Sequence, residues 1–121
     1  MPTSRATEAA TMKSWWIHST GNAMALDLRE VAAPQPGPGQ VAVRIRAASL
    51  NRGEFIAGHG LHAAGAARPA GFEAAGEVIA LGEGVGSHAV GDRVMGRCDG
   101  GFAEQGVMLA EEAFQVPASL S

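Results

Sequence analysis

Glycine interrupts this chain so often that no long helix fits between the interruptions. Seventeen of its 121 residues are glycine, about twice the usual ~7%. Each glycine inside a helix costs about 1 kcal/mol relative to alanine. The segments between them read as strands. Ser14 to His18 is aromatic and β-branched, and Met24, Leu26 and Leu28 alternate with Ala25, Asp27 and Arg29. Val41, Val43, Ile45 and Ala47 alternate in the same way, with Arg44 and Arg46 expected on the wet face. A period of two is the signature of a half-buried strand. Further strands are expected over 74–81, 92–96, 102–108 and 114–116. "PQPGPGQ", residues 34–40, is a turn region whose prolines cannot donate to a ladder.

Two stretches break the pattern. In "NRGEFIAGHG" Asn51 can cap a short helix through Glu54 to Ala57, which Gly58 ends. "LHAAGAARPA", residues 61–70, reads as a loop of small residues. Short strands at close spacing with glycine turns imply a closed or nearly closed β-barrel. The fold class is therefore mainly β, with one or two short helices. Residues 1–11 are expected to be a flexible tail and residues 12–121 a single domain.

Composition excludes several functions. Apolar residues make up 46% of the chain, enough for one core, so intrinsic disorder is not expected. The net charge is −3 and the nine basic residues are scattered, so no basic stripe tracks a nucleic-acid backbone. No apolar run reaches the 18 or more residues that cross a bilayer as a helix, so no membrane partner is expected. Cys98 is the only cysteine, which rules out an intrachain disulfide and fits a reducing, cytoplasmic setting.

Among possible motifs, "GEGVG" at 82–86 is followed by another turn, not by a helix. It therefore fails the dinucleotide fingerprint, and no Rossmann unit is expected in this chain. His59 and His62, three apart, can share a metal only with help from a carboxylate such as Glu54 or Glu73, and are otherwise two surface imidazoles. Gly91-Asp92 makes a tight turn into a strand.

Three stretches in order, "VRIRAASLNRGEF", "PAGFEAAGEVIALGEGVGSHAVGDRVMG" and "GGFAEQGVMLAEEAFQVPASLS", resemble the N-terminal GroES-like catalytic domain of the medium-chain dehydrogenase/reductase superfamily. The nearest branch is the zinc-independent quinone oxidoreductases and related enone reductases. The resemblance runs from about Met12 to Ser121 and implies a GroES-like β-barrel. Zinc enzymes of that superfamily carry Gly-His-Glu where this chain has Gly71-Phe72-Glu73, and a metal-binding cysteine where it has Asn51. The cysteine-rich lobe for a second zinc is also missing, so the resemblance implies no zinc.

The resemblance further implies that Asn51 lies beside the nicotinamide, where its amide orients the ring or a substrate carbonyl. The substrate cleft is expected to include Arg52, Phe55, Ile56, Phe72 and Glu73. Arg52 either attracts cofactor phosphates or pairs with Glu54. Phe72 is an apolar wall, and Glu73 holds backbone amides or pairs with an arginine. Relatives often carry a tyrosine where Ile56 stands, and this chain has no tyrosine. The loop 61–70 is expected to set substrate choice.

In the superfamily the chain runs on past residues like Pro117–Ser121 into a Rossmann domain that binds the cofactor. The expected function is therefore the substrate-side domain of an NAD(P)H-dependent oxidoreductase acting on quinones or α,β-unsaturated carbonyls, with NADPH bound mostly by a cofactor domain. That domain arrives in trans, or self-association covers the exposed face. The alternative is a non-enzymatic GroES-like module that binds a small apolar ligand or a protein partner.

Overall fold

The computed structural model describes residues 10–20, 23–51 and 66–120. Its strands are β1 (Thr11–Thr20), β2 (Ala23–Ala32), β3 (Gln40–Ala48), β4 (Arg68–Pro69), β5 (Glu73–Leu81), β6 (Arg93–Arg97), β7 (Gln105–Leu109) and β8 (Ala113–Gln115). A 3-10 turn, Ala110–Glu112, leads into β8. The strands form a three-stranded sheet in the order β2-β1-β4 and a five-stranded sheet in the order β7-β3-β5-β6-β8. Every described pairing is antiparallel. The chain is thus mainly β, as the strand pattern predicts, with its sheets curled into a half-barrel. The helix expected from Glu54 to Ala57 lies outside the described residues. No helix of the described residues is long and apolar enough to cross a membrane.

The core lies on one face of the larger sheet. Val41, Val43, Val78, Val94, Cys98 and Met108 are fully buried and pack with Ala74 and Ala113, with Ile45, Val85 and Ala110 around them. Along β3, Val41 and Val43 are buried and Arg44 and Arg46 exposed as expected, while Ala42 is buried too and Ala47 is exposed. Arg46 is the extra residue of a bulge between Ile45 and Ala47 and pairs with Glu77 at 2.8 Å.

β2 behaves differently from its sequence pattern. Leu26 and Leu28 are 47% and 52% exposed, whereas Asp27 and Arg29 turn to partners. Arg29 bonds Asp27 at 3.2 Å and lies over the Trp16 ring at 4.6 Å. The reason is position: β2 is an edge strand, and burial of its leucines has to come from a neighbour rather than from the pleat. The 61–70 segment also contains more order than expected. Its end forms β4, which pairs with Trp16 and Ile17, and Ala70 is buried.

Backbone hydrogen bonds tie β1 and the end of β4 to the loop that leads into β7. Trp15 N–H donates to Phe102 O at 2.9 Å, Phe102 N–H to Ala70 O at 3.0 Å, and Ala70 N–H to Trp15 O at 2.9 Å. Lys13 and Glu104 extend the seam, with Glu104 N–H donating to Lys13 O and Lys13 N–H to the Glu104 carboxylate. At the far end a side-chain latch holds β8. Asp92 accepts the Ala89 N–H and the Gln115 amide, both at 2.9 Å. The Ala89 amide, then the Gln115 amide, hold its carboxyl below the usual carboxylate range. Gln115 also reaches His88 Nδ1 at 3.3 Å, and His88 Nε2 lies 2.9 Å from Ala110 O. Donation from Gln115 to Nδ1 leaves the ring hydrogen on Nε2, where the carbonyl accepts it.

Gly71 sits where the seam meets β5. Its φ is +104°, a conformation that favours glycine. A Cβ there would lie 2.6 Å from Phe102 N and 2.9 Å from Gly101 N. We expect Gly71→Ala to destabilise the chain by roughly 1–3 kcal/mol, from backbone strain together with displacement of the seam. Urea unfolding of the two forms measures it, and equal midpoints would mean that the turn relaxes without cost.

Candidate functional site

β3, β5 and β6 bring the chemistry-bearing residues together at one end of the larger sheet, away from the core. β3 ends at Ala48 and continues through Ser49 to Asn51, while β5 starts at Glu73 and β6 finishes at Arg97. The register sets Glu73 directly opposite Arg97. Side chains alternate along β5, so Ala74 and Val78 enter the core and Glu73 faces out. Asn51, Phe72, Glu73 and Arg97 line an open cleft of ≈ 440 Å³, within the range of small-molecule sites.

The cleft's polar groups are tied to one another. The Ser49 hydroxyl donates to Glu73 Oε1 at 2.7 Å, and Asn51 Nδ2 donates to Ser49 Oγ at 3.3 Å. Asn51 Nδ2 also lies 3.5 Å from Glu73 Oε1. Ser49 N–H donates to the Glu73 carbonyl at 3.2 Å, which fixes the backbone beneath the side chains. Among the described residues, Glu73 therefore serves a hydroxyl and a side-chain amide, where the sequence suggested backbone amides or an arginine. The Arg97 guanidinium stands 5.8 Å from the centroid of the Phe72 ring, and its Nε bonds Asp99 at 3.2 Å. Phe72 fixes the end of β6 as well, since its carbonyl accepts the Cys98 N–H at 2.6 Å.

Beside this cleft runs a second, more apolar groove of ≈ 600 Å³. A cross-strand row floors it: Ala47 pairs with Ala75, Ala75 with Met95, and Met95 with Phe114. Phe114 is 63% exposed. Glu73 and Arg97 line both cavities and so form the divide between them.

Of the residues singled out from the sequence, Asn51, Phe72 and Glu73 come together. Arg52, Phe55, Ile56, His59 and His62 lie outside the described residues. Sequence reasoning missed Ser49 and Arg97. Ser49 was within reach, because it stands two residues before Asn51 on extended backbone and so tends to share its side. Arg97 carries no local signal, since only the β5–β6 register sets it opposite Glu73.

No three histidine, cysteine, aspartate or glutamate side chains gather as a metal site among the described residues. Cys98 lies beneath the sheet, buried, with its Sγ packed against Gly106. Burial first, and the Asp99 charge second, push its thiol up to about 11, against a smaller opposing effect of the Val107 N–H.

Comparison with known proteins places these features among relatives. The family model described as the alcohol dehydrogenase GroES-like domain matches residues 37–118. A human protein named synaptic vesicle membrane protein VAT-1 homolog is 38% identical over 99 residues, covering 79% of this chain and 25% of its own length. The quinone oxidoreductase of Coxiella burnetii superposes with a TM-score of 0.80 at 27% identity, over 93% of this chain and 39% of that one. A mycobacterial protein solved with NADPH superposes with a TM-score of 0.77 at 27% identity, over 91% of this chain and 34% of that one. The chain thus spans about a quarter of the human relative's length and little more than a third of these solved chains.

The state of Cys98 gives a direct test. The folded chain should resist thiol reagents at neutral pH and react at once in denaturant, because only the thiolate is nucleophilic. An unfolded chain ionises this thiol at lower pH than the folded one does. Stability contributed by the protonated thiol is therefore present at neutral pH and is lost as pH rises from the ordinary thiol pKa towards about 11. Denaturant melts of the parent and Cys98→Ala along that range check the sign, with the parent losing more.

Proposed function

The chain belongs to the alcohol dehydrogenase GroES-like domain family, within the medium-chain dehydrogenase/reductase superfamily, and on that premise we propose that it is the substrate-side domain of a zinc-independent, NAD(P)H-dependent oxidoreductase. Its substrates are quinones or α,β-unsaturated carbonyls, and its setting is the cytoplasm. The observation that carries this reading is the convergence of Asn51, Phe72, Glu73 and Arg97 on one open cleft at the end of the sheet. The likeness to a quinone oxidoreductase and to an NADPH complex supports it.

The donor set of the cleft suits a carbonyl ligand better than a zinc ion. Among the described residues it holds one carboxylate, one amide and a phenyl ring, and the nearby guanidinium repels a cation. Zinc sites use three or four thiolate, imidazole or carboxylate ligands. In this reading Asn51 orients the ligand through its amide, Phe72 gives a flat apolar wall, and Arg97 closes the rim. Phe72 and Asn51 would hold a nicotinamide, whose chemistry would be hydride donation, and the open cleft would admit water to supply the balancing proton. The described residues offer one wall for the ring and no phosphate-binding turn at a helix, so the rest of the cofactor pocket comes from a second domain.

A second reading rests on the apolar row from Ala47 to Phe114. There the chain is a non-enzymatic module that takes a small apolar ligand or a protein partner in the larger groove.

Two measurements test the proposal. Titrating the 121-residue chain with NADPH, read by nucleotide and tryptophan fluorescence, should give no saturation below millimolar concentration. Micromolar saturation would overturn the view that the nucleotide pocket lies mainly in a second domain. With a nucleotide-binding domain joined to the chain, quinone or enone reduction should appear, and Asn51→Ala should lower kcat about ten-fold or more, equivalent to about 1.4 kcal/mol of barrier. Unchanged kcat would remove Asn51 from the mechanism, and no turnover by the joined protein would favour the binding module.

A further inference from the structure

Asn51, Ser49 and Glu73 form a hydrogen-bonded chain whose direction is chemically determined. An ionised carboxylate only accepts, so the single hydrogen of the Ser49 hydroxyl goes to Glu73 Oε1, at 2.7 Å. The lone pairs of that hydroxyl then accept Asn51 Nδ2 at 3.3 Å, and the same nitrogen faces Glu73 Oε1 at 3.5 Å. Turning the amide over would set its oxygen against two acceptors. The chain of bonds therefore runs from Asn51 through Ser49 to the anion, and its last link is of the charge-assisted kind that is shorter and about twice as strong as a neutral bond.

We propose that Glu73, acting through Ser49, is a positioning residue that fixes the amide orientation of Asn51 in the cleft. Its carboxylate holds the nitrogen end of the amide towards β5. Seen from Asn51 Nδ2 the two acceptors lie on one side, so the amide meets a ligand in one preset orientation. The backbone bond from Ser49 N–H to Glu73 O, at 3.2 Å, keeps the end of β3 and the start of β5 in register for this. The proposal rests on the functional reading above only for its catalytic consequence, because the orientation itself is a property of the chain alone.

Nitrogen–proton correlation spectra of the 121-residue chain test it without any turnover. The Asn51 side-chain pair is identified by its disappearance in Asn51→Ala. Glu73→Gln keeps the shape and removes the anion, Ser49→Ala removes the link, and Ser49→Thr keeps the hydroxyl. The expected result is an upfield shift of the Asn51 pair in Glu73→Gln and Ser49→Ala, with a return towards the parent position in Ser49→Thr. Backbone amides of β6 should stay in place throughout. An Asn51 pair that holds its parent position in both Glu73→Gln and Ser49→Ala overturns the proposal. If Glu73→Gln fails to fold, Ser49→Ala decides by the same criterion. Lower kcat in Asn51→Ala with unmoved spectra would keep the functional reading and remove this one, and shifted spectra with unchanged kcat would do the reverse.

Discussion

The triangle of backbone hydrogen bonds among Trp15, Ala70 and Phe102 is the contact on which the rest of this structure depends. It ties a hairpin, a two-residue strand and a connecting loop together without any side chain. Backbone groups buried at such a seam have no other partners to turn to, and leaving one unpaired costs about 1–3 kcal/mol. The seam therefore fixes where the chain enters β5. Gly71 is the residue that makes the entry possible, because its positive φ and missing Cβ let the turn press against Gly101 and Phe102.

From that entry the site follows by alternation. Once Ala74 is in the core, Glu73 must face away from it, and Phe72 occupies the turn just before the strand. A core of valines, Cys98 and Met108 lies on one face, while the cleft and the apolar groove lie against the exposed side chains of β5 and β6. The cleft can thus carry charge without burying it. This division also separates two faces: Cys98 and Met108 lie in the core, and Glu73 and Arg97 line the cleft.

Much of this was legible in the sequence because the signals are local. The β3 alternation, the turn at Gly91-Asp92, and the pairing of a glycine turn with Phe72-Glu73 all arise from a few neighbouring residues. The resemblance on three ordered motifs pointed to the same fold as the strand pattern, and the comparisons bear it out. β2 shows the limit of such reasoning. Its leucines have the right period, yet they stand half exposed, because period two says only that one face differs from the other. Which face is covered depends on the next strand over. Ser49 was overlooked for a different reason, since a lone serine near a strand end has no meaning until Glu73 is known to face it.

What the sequence determined by itself is the class of fold and the turns. Those follow from steric freedom at glycine and from side-chain period. Tertiary structure decided the rest. It set Glu73 opposite Arg97, linked Ser49 to Glu73, and laid Met95 beside Phe114, because cross-strand register is a relation between residues 19 or more apart in the chain. Local sequence cannot encode that relation. It is settled only when bulges, seam and core fix how far each strand slides along its neighbour.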